Sequence, residues 1–181
     1  GTGMVTDNHA TSMTGTVAAS GQNPESRGFA PASTVNAYQI SSGSTDTDQM
    51  ETAAQNGLRI SMHPYSYNAG WRVFDTNPCG ATEITWTWVG TNTYSETEDF
   101  QFGYYNQRAS EWDNISYQNP HYLIVAAAGN QHNGGPATQP VAHCYYDFNT
   151  NMWQIATDQT RDLTGQNSSS LSDFALAKNA L

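Results

Sequence analysis

The sequence predicts an α/β domain, and three observations lead there. Helix-like and strand-like stretches alternate along the first two thirds of the 181 residues. Tyr122 to Ala128, YLIVAAA, is an unbroken apolar run, the pattern of a strand buried on both faces of a parallel sheet. The order helix, strand, helix, strand, helix, buried strand is that of a domain with right-handed crossovers.

Each element follows from its residues. In 9–20, HATSMTGTVAAS, Met13 and Val17 share a helical face at i, i+4, small residues permit close packing, and Gly21 is a stop. Pro24, Gly28 and Pro31 mark a loop. Thr34–Ile40, TVNAYQI, is β-branched and aromatic and predicts a strand. Ser44, Thr45 or Asp46 can cap a helix running to about Asn56, with acidic residues in its first turn and Gly57 beyond it. Leu58–Met62 predicts a second short strand, and Ile84–Val89 an arm of a hairpin within an otherwise irregular stretch, 63–94. A helix is expected around Gln107–Tyr117. After Asn130 the chain reads as loop, with 164–170, TGQNSSS, flexible in composition.

Charge narrows the function classes. Six Lys and Arg against 16 Asp and Glu give a formal net charge of −10, which argues against nucleic acid, since phosphate neutralisation needs clustered cations. Lys178 is the one lysine, so there is no polybasic membrane patch, and the longest apolar run falls far short of the about 20 residues that span a bilayer. The N-terminal residues lack the basic start and apolar core of a signal peptide. Polarity comes from Ser, Thr, Asn, Gln and Tyr rather than charge, a surface suited to an extracellular protein.

Few residues suggest metal or redox chemistry. Cys79 and Cys144 belong to no C-x-x-C pair. They form either a disulfide closing a long loop or two buried thiols, and the sequence leaves both open. His121, His132 and His143 lack short ligand spacing, so no metal site is expected. Asp46, Asp48 and Glu51 lack the order of a calcium loop and suit a helix N-terminus; structural calcium is left without a motif. Asn114-Ile115-Ser116 and Asn167-Ser168-Ser169 match glycosylation acceptors, a short and unselective pattern.

Two segments carry chemistry. Asn8-His9-Ala10-Thr11-Ser12-Met13-Thr14-Gly15-Thr16-Val17-Ala18-Ala19 is similar to the histidine motif of subtilisin-like serine proteases, and Gly28-Phe29-Ala30-Pro31-Ala32 follows it as in that family. Val125-Ala126-Ala127-Ala128-Gly129-Asn130 resembles the family's A-A-G-N oxyanion box. The resemblance covers roughly residues 4–133, and Ser95–Asn130 looks in particular like a secreted bacterial branch. It implies a three-layer subtilisin-like α/β domain with a mostly parallel sheet, occupying 1–181 and incomplete at both ends.

The resemblance assigns roles. His9 would be the general base and acid of acyl transfer, and Asn130 the carboxamide donor to the oxyanion. Ala127, Ala128 and Gly129 would contact the substrate, with Tyr65 as a pocket wall. Ser12 lies in a stretch that also resembles the nucleophile motif. Because Asn130 follows it by over a hundred residues, it is read as an ordinary helix residue.

Three features depart from the family. No D-x-G strand precedes His9, where Asp7 is too near to serve. Nothing in 131–181 matches the nucleophile motif. In Met62-His63-Pro64-Tyr65-Ser66, Pro64 and Ser66 replace the usual Ser and Gly of the pocket wall, and Pro64 removes a backbone donor. The expectation is a segment of a secreted serine endopeptidase, inactive by itself and needing no cofactor. Its partners would be a protein or peptide substrate and the remaining segments of the same domain. The alternative is a subtilase-derived extracellular structural or binding protein that has lost catalysis.

Overall fold

The computed structural model describes residues 7–38, 46–130, 134–161, 171 and 173–181. The chain divides into two compact units, residues 1–49 and 50–181.

In the first unit the histidine-bearing stretch forms α1, Asn8–Ala18. Asp7 is its N-cap, with the side chain accepting from the Ala10 N–H at 2.9 Å. This satisfies one of the four donors that a helix start leaves without an internal partner. The chain then turns back along the end of α1. Gly28 donates to Ala19 O (3.0 Å), Phe29 to Thr16 O (3.1 Å) and Ala30 to Val17 O (2.7 Å). A Cβ at Gly28 would lie 2.6 Å from the Ala19 nitrogen and the Val17 carbonyl oxygen, so only glycine permits this approach. The strand expected over Thr34–Ile40 is absent from 34–38, and Gln39 and Ile40 lie outside the described residues. Side-chain propensity makes a strand only when a neighbour completes the hydrogen-bond ladder, and 34–38 pairs with none among the described residues.

α2, Asp46–Gln55, runs from the first unit into the second. Asp46 and Asp48 occupy its first turn, where the helix dipole favours negative charge. The other cap candidates, Ser44 and Thr45, lie outside the described residues. Its end is a Schellman turn: Gly57, at φ +89°, donates to Ala54 O, and Leu58 donates to Ala53 O.

In the second unit a parallel pair joins β1, Ile60–His63, to β4, Leu123–Ala126, in the register Ile60↔Leu123 to His63↔Ala126. Leu181 lies along β4, donating to Ile124 O (2.9 Å) and accepting from the Ala126 N–H (2.7 Å). α3, Gln107–Gln118, is capped by Asn106, whose side chain accepts from Ala109 N at 2.9 Å. Its buried Ala109, Trp112 and Ile115 share a core with Met50 and Ala54 of α2, Ile124 of β4 and Phe174. Trp112 and Phe174 stack with centroids 4.3 Å apart, and Asp113 of α3 accepts the Lys178 and Asn179 N–H groups (3.0 and 2.7 Å). These contacts fasten 174–181 to α3.

A second sheet runs β2-β3-β5-β6, with β2 Trp71–Val73, β3 Trp86–Trp88, β5 His143–Asp147 and β6 Met152–Ala156. Only β3 with β5 is parallel; the other two pairings are antiparallel. The described architecture is therefore mixed α/β, with one small parallel and one mixed sheet, rather than one mostly parallel sheet. The loop expected after Asn130 gives way at 143–156 to a hairpin. Asp147 shapes its turn, accepting from Asn149 N (2.9 Å) and Thr150 Oγ1 (2.9 Å), while Asn151 adopts φ +56°. Cys79 and Cys144 are joined, tying the loop before β3 to β5.

Candidate functional site

Parallel strands present their carboxyl ends to the same edge, and in open α/β sheets ligands lie outside that edge. Here it carries two of the sequence-derived segments. The Ala127 N–H donates to His63 O at 3.1 Å, so the chain leaving β1 through Pro64 and Tyr65 starts beside the chain leaving β4 through Ala127 to Asn130. Gly129 stands at φ +96°, a left-handed conformation that glycine adopts without a Cβ penalty. Ala128 and Asn130 are exposed there, and Ala127 and Gly129 half-buried. A primary carboxamide at this point carries two N–H donors, the chemistry an oxyanion requires.

His9 occupies the first turn of α1 and is exposed. An imidazole there is able to take and return a proton, the task of a general base. Ser12 is an exposed residue of the same helix, and its carbonyl accepts from Thr16 Oγ1 at 3.0 Å. Asp7, which the sequence excluded as an orienting acid, is occupied as the helix cap. His9 belongs to the first compact unit and Asn130 to the second.

The sequence of this protein matches a family profile, that of peptidase S8, the subtilase family, over residues 3–180. The chain belongs to the subtilase family. No curated protein and no solved structure is matched by it. The subtilases are serine peptidases, so the protein is placed in a peptidase family and its substrates in the class of peptides.

Two arrangements in this subtilase were not foreseen. In the first, the β1 side chains Ser61 and His63, with Tyr65 beyond the strand, alternate onto the face that packs against α3. Tyr122 donates its hydroxyl to Ser61 Oγ (2.7 Å), Ser61 Oγ lies 2.8 Å from His63 Nε2, and His63 Nδ1 lies 2.6 Å from the Tyr65 hydroxyl. The His63 ring is buried, with its centroid 4.6 Å from that of Trp112. The S-x-H-x-Y spacing was the available signal, because residues two apart on a strand share a face.

In the second, Arg161 and His143 are buried beside Trp71 and Trp88. Arg161 donates to His143 Nε2 (3.2 Å) and to Glu96 O, and its guanidinium lies 4.9 Å over the Tyr145 ring. His143 Nε2 is thus an acceptor, and Nδ1 carries the proton toward Val141 O at 2.8 Å. Burial holds His143 below the ordinary imidazole range; the hydrogen bond to Val141 opposes this and the Arg161 charge adds to it. No sequence signal linked residues eighteen apart across a turn and a strand.

Among the described residues, no group of three or more His, Cys, Asp or Glu could hold a metal ion. No helix among them is long and apolar enough to cross a membrane.

Proposed function

We propose that this chain carries the general base and the oxyanion donor of a secreted serine endopeptidase that cleaves peptide bonds by acyl transfer, on a three-layer subtilisin-like scaffold. The observation that carries the reading is the subtilase match, which spans both the His9 motif and the Ala-Ala-Gly-Asn box. His9 takes the proton of the serine nucleophile and returns it to the leaving amine. Asn130 donates its side-chain N–H to the tetrahedral oxyanion, with Ala127, Ala128 and Gly129 forming the backbone beside the scissile bond. Apart from the stretch around Ser12, which belongs to the histidine helix, no part of these 181 residues matches the family's aspartate or nucleophile motif. The orienting acid and the serine are assigned to other segments of the protease domain. The chemistry uses no cofactor, and a polar, lysine-poor surface suits an extracellular setting.

A serine-directed fluorophosphonate tests this. The complete protease is expected to label, and residues 1–181 alone to remain unlabelled. His9→Ala should abolish labelling in the complete protein. Asn130→Ala should lower kcat by about 10²–10³, the magnitude observed in subtilisin itself for loss of this donor. A complete protein that folds and never labels would refute the enzyme and leave the catalytically lost structural or binding protein as the reading.

A further inference from the structure

We infer that His63 is a positioning residue for the substrate wall, fixing the Tyr65 side chain where β1 opens onto the strand-end edge. The inference rests on the protease reading above and adds a residue to it. Tyr65 lies two residues beyond His63, the last paired residue of β1, and the neighbouring β4 segment hydrogen-bonds the His63 carbonyl through Ala127. A peptide lying outside the strand ends would therefore meet 64–66 on one side and 127–129 on the other.

What this wall offers depends on how Tyr65 is held. Pro64 has no N–H, so the backbone donates nothing at that position and side-chain shape takes a larger share of recognition. The Tyr65 ring is set edge-on to Phe174 (centroids 5.9 Å apart, planes at 89°), and its hydroxyl meets His63 Nδ1. His63 is held in turn by Ser61 and by the Trp112 ring, tilted at 54° to it. Each ring nitrogen of His63 thus meets one hydroxyl, Nε2 that of Ser61 and Nδ1 that of Tyr65, and in the neutral ring one nitrogen donates while the other accepts. Imidazole suits this place because one ring supplies an acceptor on one side and a donor on the other. An aliphatic residue fills the volume but leaves the Ser61 and Tyr65 hydroxyls without that partner. Freed from His63, Tyr65 regains rotamers that substrate binding must remove again, which costs affinity rather than chemistry.

The test uses the complete protease, with active sites counted by fluorophosphonate labelling. His63→Leu, His63→Gln, Tyr65→Phe and the double variant H63L/Y65F are compared on peptide amide substrates. H63L and Y65F are each expected to raise KM by a few-fold to about tenfold, with kcat changing less. H63Q, which keeps a donor and an acceptor, should recover most of the loss. The double variant should be no worse than either single one, because both remove the same link. Additive effects, or a KM unchanged in labelled H63L, would overturn the assignment. If H63L fails to fold by circular dichroism, Y65F decides alone, since it deletes only the hydroxyl; an unchanged KM there overturns the proposal equally. A parent protein that never labels refutes the protease reading itself, and this assignment with it, by a different observation.

Discussion

Arg161 donates its Nε–H to His143 Nε2 of the second sheet at 3.2 Å, pairing a permanent cation with a neutral imidazole. Protonating that imidazole would remove the acceptor and set two positive charges side by side, away from water.

The consequence is an acid-sensitive sheet. The folded-state pKa of His143 lies below its ordinary value, so the folded protein binds fewer protons than the unfolded chain in that range. Its contribution is fully present above about pH 6.5, the unfolded imidazole value, and declines as pH falls toward the depressed folded pKa. The expected result is a thermal midpoint that drops from pH 7 to pH 5 in the parent and drops less in His143→Gln. At pH 7, His143→Leu should cost about 1–3 kcal/mol by leaving the Arg161 Nε–H without its acceptor. Equal pH slopes in parent and H143Q would contradict the assignment.

Gly28 is expected to tolerate no side chain. The smallest one brings a Cβ to 2.6 Å from two backbone atoms at the end of α1, and neither has a flexible side chain to swing aside. Gly28→Ala should therefore destabilise the first unit by about 1–3 kcal/mol, the range for overpacking a close contact. Amide exchange at Gly28–Ala30 reads it directly, because these N–H groups bond back to Ala19, Thr16 and Val17. Protection there matching the parent would mean that the backbone yields at no cost.

The Cys79–Cys144 link spans 65 residues. In the chain-entropy model a closed loop of this length stabilises by about 4 kcal/mol. Reduction, or Cys79→Ser with Cys144→Ser, is expected to lower the urea midpoint of the second unit accordingly. The β2–β3–β5–β6 sheet should lose its near-ultraviolet tryptophan signal first, since Trp71, Trp86 and Trp88 all lie in it. A midpoint unmoved by reductant would show that the unfolded chain is already compact around this loop.

The helices were legible where local chemistry is self-sufficient. Asp46 and Asp48 at one end and Gly57 at the other mark α2 without reference to any other part of the chain. β4 was legible as a strand from the apolar run YLIVAAA, but not as one buried on both faces: of Leu123–Ala126, Ile124 is buried and the other three are half-buried. His9 and Asn130 were singled out by their motifs alone, and the structure adds their local settings: the first turn of α1 and the exposed end of the turn after β4.

Pairing was not legible. TVNAYQI has the composition of a strand and forms none over 34–38, whereas HCYYD and MWQIA, within a stretch that reads as loop, form β5 and β6. Composition sets what a segment tolerates, but a strand exists only when another strand accepts and donates along its length, and that partner is supplied by the fold. The same limit hid the links from Ser61 through His63 to Tyr65 and from Arg161 to His143, whose members meet by alternation on a strand or by a turn of the chain. By itself the sequence determined the helices, the apolar strand β4 and the family's motifs, because each is written in neighbouring residues. The tertiary structure decided which strands pair, which cysteines meet and which buried polar groups answer one another, because each of those needs residues far apart in the chain to be brought within hydrogen-bonding or covalent reach.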